Sequence, residues 1–239
     1  MLKNYLKTLF RNFVRNKVFT LINIFGLTLG ITCSLIMFLI VKQEVSFNRY
    51  HANLDHIYRI GHIDIENGRE YTGGGIPLVM PASVKEEIVG IKEVTLISHE
   101  RYGLISINRA NGDVSHYEED PELVYVEPNF FDVFTWPTLE GTVGGNTLEQ
   151  PNVVALTKKL ADKYFPGQSA VGQTIRLDKS TDLKVVAVLE DAPANSDFPF
   201  GIFISMETKK RRNPNEFNRW GSISSDNVAF VLLEDHVSP

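Results

Sequence analysis

Residues 18–41 run for 24 positions without a charged side chain, between Lys17 and Lys42, and 15 of them are Leu, Ile, Val or Phe. As a helix rising about 1.5 Å per residue, this run crosses a hydrocarbon core of about 30 Å with some tilt to spare. Each of those apolar residues favours insertion by about 0.3 to 0.6 kcal/mol near the bilayer centre, which outweighs the polar Asn23, Thr28, Thr32 and Ser34. The core helix of a soluble domain is seldom this long without a charge. A cleaved secretory signal fits poorly as well, because its apolar region usually spans about 7 to 15 residues and ends at a small-x-small site. Here Leu39, Ile40, Val41 and Lys42 lead directly into Gln43, Glu44, Val45 and Ser46. The sequence therefore predicts a retained transmembrane helix over 18–41.

The flanks give that helix a direction. Residues 1–17 carry Lys3, Lys7, Arg11, Arg15 and Lys17 and no acid, so the positive-inside rule places the N-terminus in the cytoplasm and the residues from 42 onward outside. Leu2, Leu6, Leu9, Phe10, Phe13 and Val14 recur at helical spacing, and four of the basic residues fall at steps of four on a neighbouring face. That pattern predicts a cytoplasmic amphipathic helix over 1–17, lying in the headgroup plane with membrane lipid as its partner. Within the membrane run, Gly26, Gly30 and Ser34 form a small-xxx-small stripe against which another helix can pack closely.

The remainder has the composition of a folded domain. Residues after 17 hold 19 basic and 29 acidic side chains, which gives no basic footprint for nucleic acid. The only cysteine is Cys33, inside the apolar run, so the outer residues contain neither a disulfide nor a thiolate metal site. Strands are expected over 57–65, 93–98, 153–156, 173–177, 183–189 and 227–233. Helices are expected from Pro81 to Gly90, with Ser83 and Glu86 at capping-box spacing, from Asn129 to Phe134, and from Thr157 to Tyr164. The class is α+β. Loops rich in Gly and Pro at 72–77 and 137–151 suggest two lobes.

Chemical motifs are scarce. Gly167 to Thr174 matches a phosphate-binding loop except that Gln173 replaces the lysine, and it follows a helix where the motif should follow a strand. Gly73, Gly74 and Gly75 also lack the lysine and helix start of a phosphate cradle. His51, His56 and His62 have no helical H-x-x-x-H pairing and read as surface histidines. The acidic run Glu118 to Asp120 and the basic run Lys209 to Arg212 read as solvated faces. No G-x-S-x-G elbow is present. No catalytic residue, cofactor or metal is expected, and the chain does not read as an enzyme.

Read in order, the chain resembles the N-terminal part of ABC transporter permeases of the MacB/FtsX type. The resemblance rests first on Arg11, Asn12, Lys17, Phe19, Asn23, Gly26, Leu27 and Gly30. Second come Phe47, Asn48, Tyr50, Ile57, Tyr58 and Arg59. Third is the stretch 126–134 (VEPNFFDVF) with Leu139, Glu140 and Gly141. Fourth is the run from Val153 through Leu160, Phe165, Gly167, Val171, Gly172, Ile175, Val188, Leu189, Asp191 and Pro193 to Asn195 and Ser196.

The resemblance implies a periplasmic core domain over 42–239, with a porter-like α+β lobe and an inserted second lobe. It implies no chemistry in the chain itself: a separate ABC ATPase subunit hydrolyses ATP in the cytoplasm, and the motion drives efflux outside (mechanotransmission). A second permease copy or paralogue and a periplasmic partner protein are implied partners, in the inner membrane. Three further membrane helices belong to that plan and do not occur by Pro239, so the core domain is expected to be incomplete and the chain a piece of a longer permease. On this reading Gly26, Gly30 and Ser34 serve helix packing, and Lys3, Lys7, Arg11, Arg15 and Lys17 form the cytoplasmic interface. The competing expectation is a single-span sensor or ligand-binding protein, against which the 17-residue inner segment argues. A membrane-tethered hydrolase lacks any motif.

Overall fold

The computed structural model describes residues 2–100, 102–109, 111–119 and 123–237, and the side chains of Leu2, Lys3, Leu6 and Leu9 also lie outside the described set. The chain divides into two compact units, residues 1–47 and 48–239.

The first unit is helical. α1 (Leu2–Arg15) and α2 (Lys17–Glu44) meet at Asn16, and Thr20 Oγ1 donates to Asn16 O at 3.0 Å. α2 is 28 residues long and contains an 18-residue stretch with a mean hydropathy of 2.5, long and apolar enough to cross a membrane, and none of its residues is buried. At about 1.5 Å per residue it measures about 42 Å, so the charged Lys17, Lys42 and Glu44 fall at or beyond the ends of the hydrocarbon span.

The second unit contains β1 (Ile57–Ile60), β2 (His62–Glu66), β3 (Arg69–Gly73), α3 (Met80–Glu87), β4 (Ile91–Glu100), β5 (Gly103–Asn108), β6 (Val114–Glu119), β7 (Leu123–Val126), α4 (Phe130–Val133) and β8 (Thr138–Gly141). It continues with β9 (Val153–Thr157), α5 (Lys158–Tyr164), β10 (Thr174–Leu177), β11 (Thr181–Leu189), β12 (Ile202–Ser205), α6 (Met206–Arg212) and β13 (Asn227–Leu233). Eleven strands share one sheet in the order β1-β13-β4-β7-β12-β9-β11-β10-β5-β6, with β8 beside β11. Pairing is antiparallel except for β7 with β12 and β9 with β11.

The centre of this sheet is buried on both faces, which explains its uninterrupted apolar strands. Along β7, β12 and β9, Leu123, Tyr125, Ile202, Ile204, Val154 and Leu156 point to one face, where Leu160, Ala161 and Tyr164 of α5 cover them. Val124, Val126, Phe203, Val153 and Ala155 point to the other, beneath Phe130, Phe134, Trp136, Phe198 and Phe200. The side-chain period of two thus splits each short strand between two cores. This is the expected α+β class. The segments 72–77 and 137–151 are tied into the sheet: the Ile76 N–H donates to Asn227 O of β13 at 3.1 Å, and β8 pairs with β11.

Several local expectations need correction. The 57–65 strand breaks at Gly61, after which β2 and β3 form a separate hairpin. Its two-residue turn, Asn67 and Gly68, has φ of 52° and 77°, the type I′ geometry that suits Asn-Gly. α3 begins at Met80 with Pro81 in its first turn, so Ser83 lies inside the helix and no capping box forms. Asn129 and Thr157 occupy N-cap positions without capping through their side chains. Instead Asp191 accepts the Lys159 N–H at 3.0 Å, so the first turn of α5 takes its cap from the loop after β11.

Candidate functional site

On α1, Lys7, Arg11 and Arg15 are exposed and four residues apart, on one face; the Lys3 side chain lies outside the described residues. Lys17 opens α2 and is exposed. On α2, an added Cβ at Gly26 or Gly30 would meet nothing within 4 Å. Ser34 donates its hydroxyl to Gly30 O at 2.8 Å, which satisfies it within its own helix and leaves a smooth surface. Cys33 beside it is a free thiol.

The densest polar geometry lies where the chain enters the second unit. Asn48 takes φ of 58°, a left-handed conformation that Asn tolerates better than most residues. Its Nδ2 donates to Asp197 Oδ2 at 2.7 Å, and the Asp197 N–H returns a bond to Asn48 Oδ1 at 2.9 Å. The Asn48 N–H donates to Asn195 O at 3.0 Å. Tyr50 and Ser196 share a hydroxyl bond of 2.7 Å, and burial pushes the Tyr50 phenol up. The Ala52 N–H donates to Thr135 Oγ1 at 2.8 Å, and Asn53 Nδ2 reaches Val133 O at 3.3 Å. Segment 48–53 is thereby fastened to the loop after β11 and to the turn after α4.

His51 lies inside this junction, 3% exposed, among Tyr50, Phe134, Trp136 and Phe198, with ring centroids 4.0 to 6.4 Å away. Neither ring nitrogen has a hydrogen-bond partner among the described residues. Burial lowers its pKa to about 4, with only a smaller opposing pull from the Thr135 backbone. The expected surface histidine is therefore a buried neutral one, because the aromatic residues that cage it come from distant parts of the chain. His62 lies elsewhere, on the β2–β3 hairpin, with Nδ1 2.6 Å from Gly75 O and Nε2 3.2 Å from Asp64. Among the described residues no group of three or more His, Cys, Asp or Glu side chains is arranged to hold a metal ion.

Three shallow grooves flank the junction. One of about 240 Å³ is lined by Thr157, Lys159, Asp191, Ser196 and Phe200. A second, of about 220 Å³, is lined by Tyr50, Trp136, Glu190 and Asp191, and a third, of about 270 Å³, by Asn48, Arg59, His99, Asp197 and Phe230. The segment resembling a phosphate loop is not among them. Gln168, Val171, Gly172 and Gln173 donate their N–H groups to Phe165 O, Ser169 Oγ, Val185 O and Ala170 O, so these four donors are spent within the protein and not offered to an anion. The Gly73 to Gly75 run serves close approach: Arg59 donates to Gly74 O at 3.1 Å, and a Cβ on Gly75 would come within 2.5 Å of Ser224 O.

The basic run is more than a solvated face. Lys209 Nζ lies 2.6 Å from Ser98 Oγ and over the Tyr125 ring, and Arg212 donates to the Tyr125 hydroxyl at 2.9 Å. Burial raises the Tyr125 phenol to about 12. Of the acidic run, Glu119 is 6% exposed and accepts from Lys163 at 2.6 Å and Tyr164 at 2.8 Å, while Asp120 lies outside the described residues.

Sequence reasoning named Asn48, Tyr50, Asn195 and Ser196 as parts of a resemblance without bringing them together. The structure makes the second and fourth resembling stretches touch, and it seats the third beside them.

Residues 20–239 match the family described as the MacB-like periplasmic core domain. No curated protein matches the chain. Among solved structures, a domain of a protein described as a permease from Porphyromonas gingivalis is similar, with 20% identity, 79% of this chain and 77% of that one covered, and a TM-score of 0.65. The extracellular domain of the ABC-type transporter YknZ from Gram-positive bacteria has 13% identity over 75% of this chain and 84% of that one, with a TM-score of 0.51. The periplasmic region of MacB from Actinobacillus actinomycetemcomitans has 16% identity over 67% and 66%, with a TM-score of 0.49. The first two likenesses show a shared fold. With a family match that runs from inside α2 to the last residue, this chain belongs to the MacB-like periplasmic core domain family, a permease component of ABC transporters.

Proposed function

We propose that the chain is the N-terminal portion of a permease subunit that carries the work of a separate cytoplasmic ATPase across the inner membrane to a periplasmic domain, for export of a substrate. The observation that supports this best is the continuity of the family match from residue 20, within α2, through the whole β-rich unit. One continuous chain thus holds a membrane-length helix and the core domain. In this reading α1 lies on the cytoplasmic headgroups, with Lys3, Lys7, Arg11, Arg15 and Lys17 facing anionic lipid and the ATPase. Gly26, Gly30 and Ser34 receive a helix from a second permease copy or paralogue.

The test combines sidedness with capture. A photocrosslinker in place of Lys7 or Arg11 should capture an ATP-hydrolysing subunit from intact membranes. A membrane-impermeant thiol reagent should label Lys179→Cys from outside. Labelling from the cytoplasmic side, or crosslinks to lipid alone, would overturn the reading.

A further inference from the structure

α2 ends at Glu44, and the residues after it stay wound, with Ser46 N–H donating to Gln43 O at 2.9 Å and Phe47 N–H to Glu44 O at 3.3 Å. Asn48 is the fourth residue after the end of that helix. There the chain is gripped by one loop, residues 195–198. Asn48 exchanges side-chain and backbone bonds with Asp197, its N–H reaches Asn195 O, and Tyr50 meets Ser196. Phe198, the next residue of the loop, stacks edge-on against His51 with centroids 5.7 Å apart and reaches Phe134 at 4.9 Å.

The grip is placed at the centre of the domain's architecture. The loop joins β11 to β12, and both strands pair with β9 in the middle of the sheet. The next strand along the chain, β1, is at the sheet's edge and pairs with β13 alone. A displacement of Asn48 can enter the domain through β1 at the margin, through the bonds of Ala52 and Asn53 to Thr135 and Val133 beside α4, or through the 195–198 loop into the central strands. The loop route is the shortest, because its bonds begin at the first residue of the unit, four residues before Ala52 and nine before β1.

We infer that the Asn48–Asp197 pair, supported by Tyr50 and Ser196, is the coupling point through which movement of α2 is delivered to β11 and β12, with Asn48 and Asp197 as positioning residues. The inference rests on the proposed transmission function. Asp197 supplies two acceptors and a backbone donor. An amide at 197 keeps an acceptor and the donor, whereas alanine keeps only the backbone. Glycine at 48 preserves the positive φ and removes both side-chain bonds.

The experiment uses the full chain, assembled with its ATPase in lipid nanodiscs, with spin labels on Ala194→Cys and Val89→Cys in a Cys33→Ser background. The distance distribution is read by pulsed electron resonance with and without ATP turnover. The inference expects a distance change on turnover in the unsubstituted chain. It expects loss of that change in Asp197→Ala and in Asn48→Gly, its return in Asp197→Asn, and continued ATP hydrolysis in all four. Persistence of the full change in Asp197→Ala and Asn48→Gly would overturn the inference while leaving the transmission function standing. Absence of any change in the unsubstituted chain during ATP hydrolysis would overturn the transmission function and this inference together. Thermal melting checks each variant, and if Asp197→Ala fails to fold, Asn48→Gly decides.

Discussion

Asn48 and Asp197 stand 149 residues apart in sequence and hold each other by two reciprocal hydrogen bonds, of 2.7 and 2.9 Å. One is charge-assisted, from amide to carboxylate, and the other fixes the backbone of the loop that carries Asp197. Asp197 is exposed and Asn48 half-buried, so each bond nets only about 0.5 to 1.5 kcal/mol. Asp197→Ala should destabilise the domain by about 1 kcal/mol, and Asp197→Asn by less. Asn48→Val should cost more than Asn48→Gly, because a β-branched residue at φ of 58° is strained. Denaturant unfolding of the four variants gives the order directly.

His51 sets an acid limit on the same junction. Its folded pKa is about 4 against an unfolded value of 6.5, so between those values the unfolded chain binds the extra proton. Stability is full above pH 6.5, falls as pH drops from 6.5 to 4, and levels off below 4. Such a shift amounts to about 3 kcal/mol at most. His51→Phe keeps a ring in the aromatic cage and leaves no unpaired nitrogens. It should melt at least as high at neutral pH and lose most of the acid-dependent fall, as measured by melting temperature between pH 4 and 7.5.

The small-residue stripe of α2 separates insertion from assembly. A Cβ at Gly26 or Gly30 meets nothing in the chain, and leucine favours the bilayer. The double substitution Gly26→Leu, Gly30→Leu should therefore insert normally and weaken packing against a partner helix. Carbonate extraction and energy transfer between labelled copies measure the two effects. Unchanged association would reduce α2 to an anchor.

The basic face of α1 predicts a charge effect. Each basic residue near an anionic leaflet contributes about 1 kcal/mol. Replacing Lys7, Arg11 and Arg15 by Gln should therefore raise the exposure of a fluorophore on Phe13→Cys to an aqueous quencher, and high salt should reproduce the effect in the unsubstituted chain.

The membrane helix, β4, β9, β11 and β13 were legible because their signals are local: length without charge in one case, and runs of Val, Ile and Leu in the others. The hairpin of β5 and β6 was not read, since Val114 to Glu119 alternates with polar residues that face solvent on one side. β7 and β12 escaped as well, being four-residue runs whose burial on both faces depends on neighbours far away. Caps misled for a similar reason. Asp191 stabilises α5 from 32 residues away, so Thr157 at the expected position was only half of the answer. The candidate junction was quoted in pieces, as Asn48 and Tyr50 in one resemblance and Asn195 and Ser196 in another. The pairing itself needs the sheet, because only the β11 to β12 crossing brings residue 197 to residue 48. His51 shows the converse limit: no local pattern distinguishes a histidine on a turn from one sealed by Phe134, Trp136 and Phe198.

The central claim is that ATP hydrolysed on one side of the membrane moves the domain on the other. Hydrogen exchange of the assembled complex, compared with and without ATP turnover, tests it most directly. The account predicts altered exchange at residues 48–53 and 191–200, spreading into β11 and β12, while the β2–β3 hairpin stays unchanged. Identical exchange throughout residues 48–237 while ATP is being hydrolysed would contradict it.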